Sequence, residues 1–271
     1  MKLEAVLEGA IDVHAHILPG MDDGAQTRED AVAMARVAEK HGTAIVVATP
    51  HVDLASRNRS QVAEIIRGSA RTLAAELVSS GLSIRVLPGM EIAIDPHLLS
   101  LLSNGEALTI GDNGKYVLVE LPFQHVPGYA EKVVFDLSSA GYVPVIAHPE
   151  RCNEIANDPN RMYRLVRAGA IGQLNAGSLT GVFGKSTRRV ADILLRHGLA
   201  HVIASDGHSP TARSCRLDQA FAIASRTLGR KAALRAVRDI PYAMVRGDGV
   251  RLEDPERYTP RRWFLFGRMG V

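Results

Sequence analysis

The chain has 271 residues, a formal net charge of +3 and a sequence pI near 9.0, a surplus too small for so large a surface to argue nucleic-acid binding. Its 46% hydrophobic and 5% aromatic content excludes a disordered or disulfide-dense chain and suits one large α/β domain. Glu4 and Glu8 interrupt the apolar stretch at the N-terminus and no apolar run reaches membrane-spanning length. Neither a signal peptide nor a transmembrane segment is therefore expected, and the cytoplasm is the expected location. Cys152 and Cys215 fit reduced thiols there, with no role assigned.

The first strand candidate is Ile11-Asp12-Val13-His14-Ala15-His16, with Asp22-Asp23-Gly24 close behind. Residues 27–41 then read as a helix: Ala31, Val32, Ala35, Val37 and Ala38 make an apolar stripe, Thr27-Arg28-Glu29-Asp30 a capping box and Gly42 a stop. The apolar run 44–48 is followed by Thr49-Pro50-His51, and 59–80 is helical. The run 84–87 is followed by Pro88-Gly89-Met90-Glu91, and 116–119 by Glu120. A helix over 127–140 precedes the run 143–147, which delivers His148-Pro149-Glu150-Arg151. Beyond a helix over 161–168, the seventh strand candidate, 170–174, ends at Asn175-Ala176-Gly177-Ser178. A helix over 185–197 leads to the run 201–205, which delivers Asp206-Gly207-His208, and 217–228 is the last expected helix.

Six of these short apolar runs are followed at the same end by His, Asp or Glu. Strand and helix alternate throughout, the pattern of a parallel α/β fold, and residues contributed after so many strands converge only if the strand ends form a ring. A (β/α) barrel with its site at the C-terminal face is the expected fold, and no Gly-x-Gly-x-x-Gly follows the first strand to argue for an open dinucleotide-binding sheet. The expected metal ligands are His14, His16, Asp23, His51, Glu91, Glu120, His148, Asp206 and His208, five imidazoles and four carboxylates. That is too many for one ion, and without thiolates the set suits two or three ions of Mn²⁺, Fe²⁺ or Zn²⁺. Neighbouring ions acidify a bridging water and stabilise attacking and leaving oxygens, the logic of phosphoester hydrolysis. Arg151 and Arg213 stand where guanidinium groups clamp phosphate oxygens, with surface ion pairs as the plain alternative for each.

These residues resemble the PHP (polymerase and histidinol phosphatase) superfamily, and within it the manganese-dependent bacterial protein-tyrosine phosphatases of capsule and exopolysaccharide regulation. The matching stretches run from Asp12-Val13-His14-Ala15-His16 and Asp22-Asp23-Gly24 through Thr49-Pro50-His51, Gly89-Met90-Glu91, Val119-Glu120 and His148-Pro149-Glu150-Arg151. They continue to Gln173-Leu174-Asn175-Ala176-Gly177-Ser178-Leu179-Thr180-Gly181 and Ala204-Ser205-Asp206-Gly207-His208. The resemblance implies a distorted (β/α)7 barrel over residues 1–258, three ions held by the nine residues above, and hydrolysis of phosphotyrosine on a membrane-associated tyrosine kinase. It further implies that Arg151 and Arg213 hold the phosphate, while Asp206 or a nearby histidine helps the tyrosine oxygen leave. The basic-aromatic tail, 259–271, has no counterpart in the resemblance. Its arginines (Arg261, Arg262, Arg268) and Trp263, Phe264 and Phe266, continuing the run of Arg246, Arg251 and Arg257, read as packing on the barrel or as a docking segment for a partner or an anionic membrane.

Other readings separate by chemistry. Cysteine-dependent tyrosine phosphatases need Cys-x5-Arg, yet Asp158 and Phe221 stand six residues after Cys152 and Cys215. Binuclear amidohydrolases share His-x-His but commonly bridge their metals with a modified lysine, where this chain offers Glu91 and Glu120. The nearer rival is a phosphatase for a small phosphomonoester such as histidinol phosphate, because the same ligands serve and only the rim differs. The rim segments 52–60, with Arg57 and Arg59, and 121–129, with Phe123 and Tyr129, suit either substrate. A metal-containing scaffold without turnover is the non-enzymatic alternative, and an oligomer is compatible with the composition.

Overall fold

The computed structural model describes residues 7–52 and 59–260. Among them the strands are β1 (Ala10–Ala15), β2 (Thr43–Ala48), β3 (Arg85–Pro88), β4 (Glu91–Ala93), β5 (Tyr116–Glu120), β6 (Val143–Ala147), β7 (Ile171–Asn175) and β8 (Val202–Ala204). The helices are α1 (Arg28–Lys40), α2 (Arg59–Ser79), α3 (Leu98–Ser103), α4 (Ala130–Ser139), α5 (Asn153–Asn157), α6 (Asn160–Arg167), α7 (Ala176–Thr180), α8 (Gly184–Arg196), α9 (Asp218–Leu228), α10 (Arg230–Leu234) and α11 (Ile240–Arg246).

All ladders are parallel, in the orders β1-β2-β3 and β4-β5-β6-β7-β8. The two sheets meet at both edges through single bridges, His51 to Glu91 and Ala15 to Gly207. At the second seam the Asp206 N–H donates to the His14 carbonyl and the His16 N–H to the Gly207 carbonyl, both at 2.8 Å. The strands therefore surround one interior as a distorted parallel ring of (β/α) type. The distortion lies mainly in the third strand, which the sequence reading ended at residue 87. It runs as β3 beside β2, breaks at Gly89-Met90, and resumes as β4 beside β5. Gly89 permits the break to lie against β2, since a Cβ there would stand 2.9 Å from Val47 Cγ1. Glu91 thus belongs to a strand rather than following one.

Alternating residues fill the ring: Ile11 and Val13, Ile45 and Val47, Tyr116 and Leu118, Val145 and Ala147, Val202 and Ala204 pack with Ile171 in one buried cluster. The opposite strand faces, such as Val46, Val117, Val119, Ile146 and Ile203, pack with the helices in a second. Helix α1 shows why these segments are helical. Thr27 accepts from the Asp30 N–H, the Asp30 carboxylate accepts from the Thr27 N–H, and Ala31, Met34, Ala35 and Ala38 form the buried face. Met34 takes the place that the sequence reading gave to Val37.

Helices α10 and α11, joined by a π turn over Arg235–Asp239, were absent from the sequence reading. Pro241 reads as a breaker, yet the backbone stays helical through it: Asp239 and Ile240 keep right-handed helical geometry, and the π turn stands immediately before the proline, where the helix has to accommodate a residue without an N–H. Ile240 and Met244 join Ile110 and Tyr116 in plugging the amino end of the ring, and the Tyr116 hydroxyl donates to the Asp248 carbonyl at 2.6 Å. No helix among the described residues is long and apolar enough to cross a membrane. The tail's Arg261, Arg262, Trp263, Phe264, Phe266 and Arg268, and Arg57 of the first rim segment, lie outside the described residues.

Candidate metal centre

All nine expected ligands stand at the carboxyl end of the ring, and two departures from regular strand geometry bring some of them inward. On β1, Asp12 pairs with Val46 but Ala15 pairs with Ala48, so β1 carries one residue more than β2 between those pairs. The bulge breaks the alternation: Val13 packs in the interior cluster, and His14, the next residue, also reaches the interior site, as does His16. On β6, Val145 and Ala147 face the interior, so alternation would send His148 outward. Its backbone instead takes φ 29° and ψ 54°, which turns the imidazole in. Asp206, at φ 50°, is another of the three non-glycine residues with positive φ among those described. Such conformations cost about 1 kcal/mol or more and cluster where function requires them.

Glu91 is the hub. Its Oε1 lies 3.0 Å from His148 Nε2, and its Oε2 lies 3.0 Å from His14 Nε2, 3.2 Å from His16 Nε2 and 3.4 Å from His51 Nδ1. Glu120 flanks it, 3.7 Å from His148 Nε2 and 3.9 Å from His51 Nδ1. Asp206 Oδ1 lies 3.5 Å from His14, 3.4 Å from His16 and 3.5 Å from His208. Asp23 Oδ1 closes the group 3.4 Å from His208 Nε2. Three overlapping sets have donor atoms all within 4.8 Å of one another: His16, Asp23, His51 and His208; His14, His16, Glu91 and Asp206; and His51, Glu91 and Glu120. His148 joins them through Glu91.

Two residues that the sequence reading quoted within its matching stretches, but gave no role, orient the first histidines. His14 Nδ1 lies 2.9 Å from Gln173 Oε1, and Gln173 Nε2 donates to the Leu174 carbonyl at 2.8 Å, which fixes the amide so that oxygen faces the imidazole. His16 Nδ1 lies 2.6 Å from Asp22 Oδ2, which also accepts the His51 N–H at 2.9 Å. Both rings thus carry their orienting proton on Nδ1 and turn Nε2 inward, where the two Nε2 atoms stand 3.1 Å apart. Facing lone pairs cannot hydrogen-bond each other; a cation satisfies both, and an imidazole anchored through its far nitrogen is the usual form of a metal-bound histidine. The donor set therefore fits divalent metal. A signal for Gln173 existed in its position, a polar residue inside a buried strand two residues before Asn175. Asp22 was quoted only as part of the loop with Asp23. That loop folds directly over β1: a Cβ on Gly24 would stand 2.0 Å from the His16 carbonyl oxygen.

The electrostatics agree with the donor set. Burial lowers the proton affinity of His14 and His16, but Glu91 and Asp206 outweigh it and raise both. Burial acts to raise Glu91 and Asp206, yet the neighbouring imidazoles hold both well below the usual carboxylate range. Glu120 is raised, by burial and then by the charge of Glu91. Carboxylates crowded this closely, with so little water, require positive charge among them.

Asp206 also joins the cluster to the arginines. Its Oδ2 accepts from Arg213 at 2.7 Å, Arg151 at 3.0 Å and Asn175 at 2.7 Å. The Arg151 guanidinium is sandwiched between two rings, 4.8 Å from the centroid of Phe123 and 4.7 Å from that of Phe183. Phe123 also stacks on His148 at 5.9 Å. Nothing in the sequence singled out Phe183, because the loop that carries it becomes part of the site only through the fold. A recess of about 230 Å³ opens beside Arg213, lined among others by Asn175, Gly177, Phe183, Thr211 and Ser214. Neither cysteine enters the chemistry: both are buried free thiols, and burial pushes both thiols up in pKa.

Comparison with known proteins bears on this geometry. The family model for capsular polysaccharide synthesis proteins, CpsB/CapC, matches residues 10–246. The chain is 36% identical over 256 residues to the tyrosine-protein phosphatase YwqE of Bacillus subtilis (strain 168), covering 94% of this chain and 99% of that one. It is 28% identical over 249 residues to the tyrosine-protein phosphatase CpsB of Streptococcus pneumoniae, covering 87% and 98%. A crystal structure from the study of YwqE and CpsB, described there as unique metal-dependent tyrosine phosphatases, superposes with a TM-score of 0.86 at 35% identity over 92% of this chain and all of that one. The fold is shared more distantly with a histidinol phosphate phosphatase of Lactococcus lactis, with a TM-score of 0.53 at 16% identity over 82% of this chain and 93% of that one.

Proposed function

Because the chain belongs to the CpsB/CapC family of capsular polysaccharide synthesis proteins and is a metal-dependent tyrosine-protein phosphatase, we propose that it removes phosphate from phosphotyrosine on a tyrosine kinase that controls capsule or exopolysaccharide synthesis. The observation that carries the chemistry is the junction at Asp206, one carboxylate touching three inward imidazoles through Oδ1 and two guanidinium groups through Oδ2. We assign two or three divalent ions, manganese first, to His14, His16, Asp23, His51, Glu91, Glu120, His148, Asp206 and His208. When bound, such ions polarise phosphoryl oxygens and acidify water.

The protein's own groups do the rest. Arg151 and Arg213 are the phosphate clamp: both guanidinium groups now rest on Asp206 Oδ2, and a phosphoryl group offers them anionic oxygen acceptors of the kind guanidinium binds best. Asp206 accepts three hydrogen bonds at Oδ2 and is held far below the usual carboxylate range, so it acts as an ionised carboxylate with no proton to give. In this reading Asp206 serves positioning and charge, and help for the departing tyrosine oxygen falls to a nearby histidine, the other of the two groups named for it. A phenol, with a pKa of about 10, is a far better leaving group than an aliphatic alcohol and has less need of an acid.

A protein substrate is favoured over a small metabolite by the rim. Asp23 is 65% and His51 41% exposed in their side chains, and Phe123 is 45% exposed, so one side of the cluster lies open. A kinase held at the membrane presents its phosphotyrosine on the cytoplasmic side, where the buried free thiols also belong. The test is kcat/KM of manganese-loaded protein on a phosphotyrosine peptide beside histidinol phosphate, each with and without chelator. Chelator-sensitive preference for the peptide is the expected result; preference for histidinol phosphate would replace the substrate assignment.

A further inference from the structure

A groove between α8 and α9 is lined by Lys185, Arg188, Arg189, Arg196 and Arg226, with Asp192 as its carboxylate and Leu179 and Ile223 in its wall. Asp192 is already committed to Arg196 at 2.8 Å. The side chains of Lys185, Arg188, Arg189 and Arg226 make no ion pair or hydrogen bond among the described residues. For a chain whose net charge is only +3, this is a marked local surplus. Elsewhere on the surface arginines are commonly matched, as Arg67 is with Asp112 and Glu64, Arg164 with Glu131, and Arg246 with Asp248.

The groove adjoins the site along the chain. Helix α7 is capped by Asn175, which holds Asp206, and Leu179 near its other end lines the groove. Thr180, Val182 and Phe183 line the recess beside Arg213, and Lys185 and Arg188 follow on the first turns of α8.

We propose that this groove is an exosite for the acidic or multiply phosphorylated stretch of the polypeptide that carries the scissile phosphotyrosine. The inference rests on the phosphatase reading. Its argument is charge complementarity together with adjacency along the chain: phosphate groups and acidic side chains on the same segment are the anions that guanidinium groups bind best, and a concave row of cations beside the mouth fits an extended peptide. A flat anionic bilayer favours a protruding basic face with apolar residues beside it.

Two hydrolysis-resistant peptides test this, each carrying phosphonomethyl-phenylalanine, one with acidic flanks and one with neutral flanks. Their binding to the manganese-loaded protein is read by fluorescence anisotropy across a salt series. The expected result is tighter binding of the acidic peptide, a preference that shrinks as salt rises, and its loss by about tenfold in R188E/R189E with the neutral peptide unchanged. Equal binding of the two peptides by the unaltered chain overturns the proposal, as does a preference that survives R188E/R189E. Binding of phosphatidylserine vesicles that R188E/R189E abolishes while peptide preference persists would assign the groove to the membrane instead. Turnover of p-nitrophenyl phosphate, expected to be unchanged in R188E/R189E, reads the phosphatase assignment separately.

Discussion

The two ends of the ring are built from the same strands under opposite rules. At the amino end, Ile11, Ile45, Tyr116, Ile171 and Val202 face inward and pack against Ile110, Ile240 and Met244. At the carboxyl end the strands deliver buried His14, His16, Glu91, His148 and Asp206 into one space, and β1 bulges while His148 and Asp206 take positive φ. Close packing without polar atoms stabilises; converging charge does not, and must be held together by what surrounds it. The apolar end is therefore the foundation on which the charged end is assembled.

The largest expected effect lies at the charged end. Asp206→Asn keeps the shape but removes the charge shared by three imidazoles and two arginines, so kcat/KM on a phosphotyrosine peptide should fall by at least about a thousandfold with the circular dichroism spectrum kept. Near-normal turnover in that variant would dissolve the distinction between the two ends.

The converse experiment is Met244→Ala in the buried plug at the amino end of the ring. It should cost about 3 kcal/mol in urea unfolding while leaving the rate constant of the metal-loaded enzyme within about twofold, because the vacated space lies below the ligands. A large loss of rate with little loss of stability would mean that the foundation is part of the machinery.

The apolar end carries a pH sensor of its own. His201, just ahead of β8, accepts the Gly172 N–H at Nδ1 while Nε2 is buried without a partner, and burial lowers its pKa from 6.5 to about 4. Below the unfolded value the unfolded chain binds a proton that the folded chain refuses, so its contribution is fully present above pH 6.5 and is lost as pH falls toward 4. The loss should amount to roughly 3 kcal/mol. Denaturation across that window should show a shallower decline in His201→Asn than in the unaltered chain; parallel curves would remove His201 from the account.

The smallest effect concerns the aromatic sandwich. Phe183→Leu frees one face of Arg151 and should raise KM for the phosphotyrosine peptide about fivefold, near 1 kcal/mol, with kcat little changed and Phe183→Tyr restoring it. A fall in kcat with unaltered KM would point to a structural role.

The part of this architecture that could be read from the chain is the part encoded by periodicity. Apolar runs ending in His51, Glu120, His148 or Asp206 announced both strands and ligands, since a buried parallel strand has little other reason to end repeatedly in such residues. The Thr27 to Asp30 capping box fixed α1 for a similarly local reason. What escaped was set by partners distant in sequence. The break at Gly89-Met90 is explained by contact with Val47, the β1 bulge by pairing with β2, and the importance of Gln173 by its distance to His14. Phe183 acquires its place only when α7 brings it beside Arg151, and Pro241 conceals a helix that runs on through it after a π turn, because the same residue more often marks a helix end.

Metal stoichiometry followed together with turnover tests the central claim most directly. Metal-free protein titrated with Mn²⁺, with bound ion read by electron paramagnetic resonance and activity measured on a phosphotyrosine peptide, should take up two or three ions per chain. Turnover should rise with occupancy, and His16→Ala should abolish it while binding fewer ions. Full turnover by protein stripped of metal, or uptake and activity unaltered in His16→Ala, would contradict the assignment of this cluster as the catalytic metal centre.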